Sequence, residues 1–410
     1  MSFNKYISVF FKRRKVFMPT ISGWLMLILL PIIIVYLLFE HTYDYLAISR
    51  PTSSDILVVE GWIPEYGLKK AIDYYYKYNY KYMVITGVPI TQWAFSSPYS
   101  NMADASARSM REMYFRDSIY TVSIPSTIVR DRTYTTAIAL KMAMENGKIP
   151  DKDFDLYTVG AHARRSSLMF RLAFGNYKIG IVADTDISYT PDIWYKTSYG
   201  FRIVSSELIS YLYSSVFFRP NEDEIRSEIR IGRDIDLIQK QRFSKDKEFS
   251  DSLRSPLLKS DIQLFRGLSY FLIQEKWKIK AKISIDTSSP IFKMPTSTAR
   301  LPEYRKYALL SFKINDTLHD LTAFQNMDLL KKNPQSKYLF LPFKDKTNSI
   351  SSYGGGRFID LEIADNDSVT IDFNSAYNPY CAYSHKWSCP IPPPSNYLNT
   401  FVDAGEKKYH

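Results

Sequence analysis

A glycine, a histidine and two arginines stand together where an apolar run ends near the middle of the chain. The segment Gly160-Ala-His162-Ala-Arg164-Arg165 follows Leu156–Val159, a run typical of a buried strand. An imidazole changes charge near neutral pH, so His162 is a candidate acid or base. Guanidinium groups bind phosphate and carboxylate, so Arg164 and Arg165 are candidate anion ligands. The alternative is a basic surface helix with one hydrogen-bonded histidine.

Polar residues also follow other apolar runs in the same part of the chain. Ligands of parallel sheets bind outside the carboxyl ends of the strands, and helix N-termini favour anions. For the segment that begins at Asp131, the alternative is simple N-capping of a helix. We predict catalytic roles for His162 and Glu60. The predicted substrate-binding residues are Thr86, Asp131, Arg132, Thr133, Arg164 and Arg165.

Short β-branched runs alternate with helical segments throughout this region. Such alternation predicts an α/β, Rossmann-like domain with a parallel sheet covered on both faces. No Gly-x-Gly-x-x-Gly follows the first run and the chain has no Gly-x-Ser-x-Gly, so dinucleotide binding and a nucleophile elbow have no support. We predict no cofactor. The predicted strands are Ile56–Val59, Tyr82–Ile85, Thr127–Val129, Leu156–Val159 and Ile179–Val182.

The C-terminal part has a different pattern, in which short alternating runs are separated by Pro, Gly, Asn and Asp. This pattern predicts an antiparallel, mainly β domain. Gly354 to Gly356 allow close backbone approach and place Arg357 beside Asp345. The alternative is a buried salt bridge that fixes the loop. The second-domain candidate site comprises Asp345, Arg357, Asp372, Asn374 and Asn378.

Both cysteines of the chain, Cys381 and Cys389, lie in a segment rich in Asn, Pro and Tyr. In an oxidising compartment a close pair is a disulfide candidate, and two free structural thiols are the alternative. His385 lies between them, but three possible ligands without a fourth do not make a zinc site. We therefore predict no metal.

The N-terminal region contains an uncharged apolar segment, Ile21–Phe39, that is long enough to cross a bilayer. Lys12-Arg13-Arg14-Lys15 precedes it, so the positive-inside rule predicts a cytoplasmic N-terminus. We predict a single-pass inner-membrane protein whose bulk is periplasmic or extracytoplasmic. A cleaved signal peptide is the alternative, although its apolar region is usually shorter, about 7–15 residues.

The formal net charge is +11, and five of the positive charges lie in the N-terminal tail. The remaining basic residues are spread out, which excludes the clustered basic face of a nucleic-acid-binding protein. Isoleucines spaced along residues 221–252 predict an amphipathic helix between two domains. The predicted organisation is a cytoplasmic tail (1–20), a transmembrane helix (21–39), a Rossmann-like domain (53–219), a helical linker (220–254) and a mainly β domain (255–410).

Two family resemblances follow from these motifs. Residues from about 55 to 218 resemble the domain-of-unknown-function 218 family of bacterial envelope proteins, the ElyC- and SanA-like group. This resemblance implies a Rossmann-like fold at the cell envelope. The segments that carry it are Val59–Trp62, Thr86-Gly87, Asp131–Tyr134, Gly160–Arg165 and Gly200 to Glu207.

Residues from about 254 to 408 resemble the domain-of-unknown-function 1684 family. The resemblance identifies the domain and implies no reaction. It is carried by Phe265–Phe271, Leu341–Thr347, Tyr353–Arg357, Asp372–Tyr383, Cys389–Pro394, Asn396 and Ala404–Glu406.

Together, these observations lead to one functional hypothesis and one alternative. The hypothesis is a membrane-anchored bacterial envelope protein whose Rossmann-like domain binds or processes an anionic envelope precursor or another small ligand. The alternative is a non-enzymatic envelope assembly or binding protein with the β domain as its interaction module.

Overall fold

The computed structural model describes residues 18–90, 101–286, 288–363 and 367–409. The chain divides into two compact units, Met1–Arg230 and Ile231–His410. We call them the α/β unit and the β unit. The basic residues of the predicted cytoplasmic tail lie outside the described residues.

Five strands of the α/β unit form one parallel sheet in the order β3-β2-β1-β4-β5. The predicted parallel α/β domain is therefore confirmed. The order reverses between β1 and β4, which are hydrogen-bonded neighbours. The strands are β1 Ile56–Glu60, β2 Tyr82–Gly87, β3 Ile119–Ser123, β4 Phe154–Val159 and β5 Ile179–Asp184.

Helices precede, connect and follow these strands. One of them, α8, contains the division between the two units. The helices are α1 Ile21–Glu40, α2 Thr42–Leu46, α3 Glu65–Lys77, α4 Met102–Glu112, α5 Arg132–Glu145, α6 Ala163–Phe174, α7 Ser198–Val216 and α8 Glu222–Ser250.

Alternate side chains of the central strands enter two separate apolar cores, because successive residues of a strand face opposite sides of a sheet. Val58 and Val84 pack on one face with residues of α5 and α6. Val59 and Ile85 pack on the other face with residues of α3 and α4. Since both faces are covered, β1 and β4 are buried along their whole length.

The third strand is not the predicted Thr127–Val129. It is Ile119–Ser123, which pairs with β2 at the edge of the sheet. Residues 127–129 follow Pro125, whose carbonyl accepts a turn hydrogen bond from the amide of Ile128. Residues 127–129 were predicted because they form the more apolar run. The observed strand lies half-exposed at the edge of the sheet and has no continuous apolar run.

The N-terminal segment that was predicted to be a transmembrane helix forms α1, whose first turn is capped by Thr20. Leu25 and Ile28 of this helix are exposed. In the part of the chain that the structure describes, no helix meets the combined requirement of length and apolar content for a membrane span.

The β unit contains an eight-stranded sheet with the path β11-β10-β9-β8-β6-β12, and β7 and β13 are attached at its margins. The pairings along the path are antiparallel, so the predicted mainly β domain is confirmed. The strands are β6 Lys278–Ile285, β7 Ile291–Lys293, β8 Glu303–Ile314, β9 Thr317–Asn326, β10 Tyr338–Asp345, β11 Arg357–Glu362, β12 Ser368–Asp372 and β13 Tyr397–Leu398; the short helices α9 Lys259–Ile262 and α10 Met327–Lys332 complete the unit.

Strand β9 lies outside the alternating runs from which the β domain was predicted, which are Ile279–Ile285, Tyr307–Ile314, Tyr338–Phe343, Phe358–Ile363 and Val369–Phe373. It forms a hairpin with β8 through a two-residue loop, Asn315-Asp316, in which both residues have positive φ. Two left-handed residues are what this type of hairpin turn requires, and Asn and Asp tolerate that conformation. The dipeptide was therefore an available signal for the missed strand.

Candidate functional site

Glu60 and His162 meet at the point where the strand order of the parallel sheet reverses. Glu60 is the last residue of β1, and His162 ends a short 3-10 turn that follows β4. His162 Nε2 lies 3.7 Å from Glu60 Oε2; the Glu60 side chain is buried, and that of His162 is 13% exposed. The structure therefore brings together the two predicted catalytic residues at the topological switch point, where doubly wound sheets bind their ligands.

The turn that delivers His162 depends on Gly160, whose φ is +63°. A Cβ at this position would also lie 3.2 Å from Asp186 Cβ and 3.3 Å from the Tyr189 hydroxyl. A side chain there would thus be both strained and crowded. The glycine lets the chain leave β4 sharply and start α6 beside the end of β1.

A second carboxylate, Glu207 on α7, completes the arrangement around His162. The Nδ1–H of His162 donates to Glu207 Oε1 at 2.9 Å, because a carboxylate can only accept. Arg165 donates from Nε to Glu207 Oε2 at 2.7 Å and from its Nη2 to Oε1 at 3.1 Å. We call Glu60, His162, Arg165 and Glu207 the ion cluster; with two acids and two bases its charges balance.

The ion cluster fixes the protonation states of its members. Burial would lower the pKa of His162, but the charge of Glu60 and the hydrogen bond to Glu207 outweigh it and raise that pKa to about 9. Burial would raise the pKa of Glu207, yet the hydrogen bond and charge of His162 lower it to about 2. The pKa of Glu60 is also lowered, against its burial, chiefly by the charge of His162. At neutral pH His162 is therefore an imidazolium between two carboxylates.

Two further side chains hold the cluster in place. Ser166, one helical turn after His162 on α6, donates to Glu60 and lies 3.0 and 3.1 Å from its two oxygens. The Trp62 ring meets the His162 ring edge-on, with centroids 4.8 Å apart. The hydroxyl stabilises the ionised form of the buried Glu60.

The ion cluster forms part of the wall of a cavity of about 750 Å³, which the N-terminus of α5 also lines. Asp131 precedes that helix with φ +50° and makes no side-chain capping bond. The Thr133 hydroxyl accepts from Arg165 at 3.3 Å. Arg132 is exposed and forms no ion pair among the described residues. Thr86 also lines the cavity, and its hydroxyl donates to the Val59 carbonyl at 3.4 Å.

The two predicted anion-binding arginines have different surroundings. Arg165 lines the cavity, but its guanidinium is committed to Glu207 and Thr133. Arg164 is not among the cavity-lining residues. Its guanidinium stacks on the Tyr45 ring at 3.8 Å and donates to the Tyr45 carbonyl. The positive charge that is free to bind an anion in this cavity therefore comes from the Arg132 guanidinium and from the partial positive charge at the start of α5.

In the β unit, Asp345 and Arg357 form an ion pair with both side chains fully buried. The guanidinium donates to Asp345 Oδ2 at 2.8 Å, to the Val402 carbonyl at 2.9 Å and to the Ala404 carbonyl. Asp345 Oδ1 accepts from the Thr347 amide at 2.8 Å. This geometry corresponds to the structural alternative, an ion pair that fixes the chain near residues 402–404.

The other three candidates of the β unit organise the backbone around them. Asp372 accepts from the amide and the side-chain nitrogen of Asn374, each at 2.9 Å. Asn374 makes two hydrogen bonds to the backbone of Gln274, at 3.0 and 2.9 Å. Asn378 donates from its side chain to the Lys407 carbonyl at 2.7 Å. Asn374 and Asn378 line a second cavity, and the other three candidates do not.

A comparison with known protein families finds a match in the C-terminal part of the chain. Residues 263–407 match the family model described as "Protein of unknown function (DUF1684)". This part of the chain is similar to that family. A similar solved structure is the solution NMR structure of an uncharacterized protein of Haloarcula marismortui, with 39% identity and a TM-score of 0.35. The match covers 42% of this chain and 92% of that one. No curated protein matches the chain.

The predicted resemblance to the DUF1684 family is thus confirmed, and the matched residues span β6 to β13. The resemblance of the α/β unit to the domain-of-unknown-function 218 family stays a prediction.

The two cysteines of the DUF1684 domain are free thiols in the structure. The Cys381 amide donates to Cys389 Sγ at 3.3 Å, and the Tyr353 hydroxyl lies 3.7 Å from Cys381 Sγ. The hydrogen bond from the Cys389 thiol lowers the pKa of Cys381 to about 6. Among the described residues, no group of three or more metal-ligating side chains is assembled around them or elsewhere.

Ser166 and Glu207, which bond to the two predicted catalytic residues, were not predicted as site residues. Ser166 stands four residues after His162, a spacing that places both on one face of a helix, so its position was a usable signal. Glu207 lies 45 residues from His162 along the chain, and spacing alone cannot connect the two. Its only sequence signal was its place at the end of Gly200 to Glu207, one of the segments on which the resemblance to the domain-of-unknown-function 218 family was predicted.

Proposed function

We propose that the α/β unit binds a small anionic ligand in its cleft and that His162 donates a proton to this ligand. One observation carries the proposal: the imidazole of His162 lies between the carboxylates of Glu60 and Glu207, on the wall of a cavity at the topological switch point, and its raised pKa favours the protonated form. A histidine that is protonated at neutral pH is a general acid rather than a base. The ionised Glu60 is the matching proton acceptor.

The anion would be held by Arg132 and the first amide groups of α5. Helix N-termini carry unpaired N–H groups and a partial positive charge, and both favour anions. Arg165 has a different role in this account, because its guanidinium already binds Glu207. Arg165 orients Glu207, and Glu207 in turn orients the imidazole of His162.

The location and the chemical source of the ligand are proposed from the sequence. The basic residues before an uncharged segment support a chain that is anchored in the inner membrane with its bulk outside the cytoplasm. An anionic envelope precursor is then the ligand class that the cleft would meet. A reporter enzyme fused after His410 would test this: activity only in the cytoplasm would contradict the proposed location.

The alternative is a binding or assembly protein without catalysis. The pairing within the ion cluster favours it, because His162, Arg165 and Glu207 satisfy one another. An ion cluster that only holds β1, β4 and α7 together would have the same geometry. In that case a ligand in the cavity would leave chemically unchanged.

Mass spectrometry of small molecules that co-purify with the full chain tests the proposal. We expect an anionic compound to be retained by the wild type and depleted about tenfold by Arg132→Gln, since loss of a charge-assisted contact reduces affinity by roughly that factor. Arg130→Gln is the matched control, because Arg130 is exposed, pairs with Glu228 and does not line the cavity. Equal retention by both variants would contradict an anion site at α5.

The catalytic part is tested on the compound that this experiment identifies. His162→Gln should bind the compound but leave it unconverted, while the wild type converts it. An unchanged compound after incubation with the wild type would favour the binding-protein alternative.

A further inference from the structure

The β unit contains its own cavity, of about 940 Å³, formed between the C-terminal half of α8 and the sheet. Three buried polar atoms of its lining residues have no hydrogen-bond partner among the described residues. They are Nε of Arg242, the hydroxyl of Tyr270 and Oδ1 of Asn378. Buried polar groups are nearly always paired in folded proteins, so three orphan groups around one cavity require an explanation.

A chain of contacts shows that the three groups belong to one place. The Arg242 guanidinium stacks on the Tyr270 ring at 4.4 Å. The backbone of Tyr270 pairs with that of Glu406. The Glu406 carboxylate in turn accepts from the backbone N–H of Asn378 at 3.1 Å. Arg242 also donates to the carbonyl of Asn374 at 3.2 Å.

Arg242 forms no ion pair among the described residues, although the carboxylates of Asp372 and Glu406 are near enough to act on its charge. Its hydrogen bonds in the described chain go to two backbone carbonyls, those of Phe271 and Asn374. The nearby Glu406 is already paired with Lys245 at 2.7 Å and accepts from the Tyr383 hydroxyl. Burial lowers the pKa of Arg242, although a guanidinium remains protonated. A partly buried cation without an ion-pair partner favours an anionic ligand.

The rest of the wall is aromatic. Phe340 and Phe358 meet edge-on at 4.8 Å, and the Tyr338 and Tyr377 hydroxyls both donate to one oxygen of Asp360 at 2.8 Å. Because their hydroxyls are occupied, these tyrosines offer mainly ring surface to the cavity. Such a wall suits a ligand with a ring.

We propose that this cavity is a second binding site, independent of the cleft in the α/β unit, for a small organic anion that carries a ring and a hydrogen-bond donor. Arg242 Nε and the Tyr270 hydroxyl donate to the anionic group. Asn378 Oδ1 accepts from the donor, a hydroxyl or an amine. The DUF1684 domain is on this account a ligand-binding module with a specificity of its own.

Isothermal titration of the full chain with three probes tests the proposal. 4-Hydroxybenzoate has the anion, the ring and the donor; its methyl ester lacks the charge, and benzoate lacks the hydroxyl. We expect 4-hydroxybenzoate to bind about tenfold more tightly than either analogue, the usual effect of one charge-assisted or buried hydrogen bond. Equal affinities, or no binding of 4-hydroxybenzoate, would overturn the proposal.

Variants assign the effect to this cavity. Arg242→Gln should remove the preference for the acid over the ester, whereas Arg233→Gln on the same helix should keep it, since Arg233 does not line the cavity. Tyr270→Phe deletes only a hydroxyl without a partner among the described residues, so it provides a second test if Arg242→Gln does not fold. Unchanged binding by Tyr270→Phe and by any folded Arg242→Gln would refute the site.

Discussion

The cleft of the α/β unit and the cavity of the β unit handle buried charge in opposite ways. In the cleft, two carboxylates, an imidazolium and a guanidinium neutralise one another within the protein. In the cavity of the β unit, Arg242 has no ionic partner among the described residues and two neutral groups are unpaired. Pairing within the protein fixes protonation states. Unpaired groups instead determine which charged and hydrogen-bonding groups a ligand must have.

The contrast also separates two kinds of buried arginine within the β unit itself. Arg357 is paired with Asp345 and holds two backbone carbonyls, so its role is structural. Arg242 stacks on a tyrosine and has no ion pair among the described residues, whereas Nε lacks a hydrogen-bond partner there in both arginines. The two arginines therefore differ in their ionic partner and not in the state of Nε.

The largest expected effect comes from breaking the Asp345–Arg357 pair. Arg357→Met should lower the free energy of unfolding by about 3–5 kcal/mol, because it leaves the Asp345 carboxylate buried without its counter-ion. Calorimetric unfolding of the full chain measures it. Arg266→Met is the control, since Arg266 is exposed and bonds only nearby carbonyls. Similar losses in both variants would contradict the structural role of Arg357.

The next effect is the pH dependence of the ion cluster. The pKa of His162 is raised in the folded state, so protonated His162 stabilises the folded protein. This contribution is complete below the unfolded pKa of about 6.5 and is lost as pH rises through about 9. The loss should be about 3 kcal/mol, from the size of this pKa difference. Urea unfolding at pH 7 and pH 10 measures it.

His162→Gln provides the comparison for that experiment, because it removes the titrating group. Its stability should change less between the two pH values than that of the wild type. Parallel pH profiles for both proteins would show that His162 is not held as an imidazolium.

A smaller loss is expected from Ser166→Ala, which removes a hydrogen bond to the buried Glu60. Bonds to charged groups contribute about 2 kcal/mol, and the variant should lose about that much stability. Ser167→Ala on the same helix should lose less, since the side-chain hydrogen bond of Ser167 within the described residues is accepted from Arg171 and involves no carboxylate. Urea unfolding of both variants at pH 7 distinguishes the outcomes.

The smallest expected effect concerns the Tyr270 hydroxyl in the second cavity. Tyr270→Phe should leave the free energy of unfolding unchanged within about 0.5 kcal/mol, because the lost hydroxyl has no partner among the described residues. Tyr383→Phe should lose about 1–3 kcal/mol, since its hydroxyl donates to the buried Glu406. A large loss in Tyr270→Phe would mean that its hydroxyl is structurally engaged.

Several features of both units were predictable from local rules. Glu60 and His162 were predicted to share a site because the carboxyl ends of neighbouring parallel strands meet at one edge of the sheet. The proximity of Asp345 and Arg357 was predictable because they flank the connection between two antiparallel strands. The divergence of Arg164 from Arg165 also follows from a local rule, since consecutive residues of a helix do not share a face.

Other features depend on tertiary structure and had no local signal. Glu207 reaches His162 only because α7 packs beside α6. The unpaired state of Asn378 Oδ1 results from the positions of every neighbouring donor, which no spacing encodes. The edge strand Ile119–Ser123 was missed because half-exposed strands lack a continuous apolar run.

The central claim is that the cleft holds His162 as a proton donor between Glu60 and Glu207. Titration of the histidine ring signals by NMR in the full chain tests it most directly, with His162→Gln to assign the resonance. The account predicts a midpoint near pH 9 for His162. A midpoint at or below about 6.5, the value of a free histidine, would contradict it.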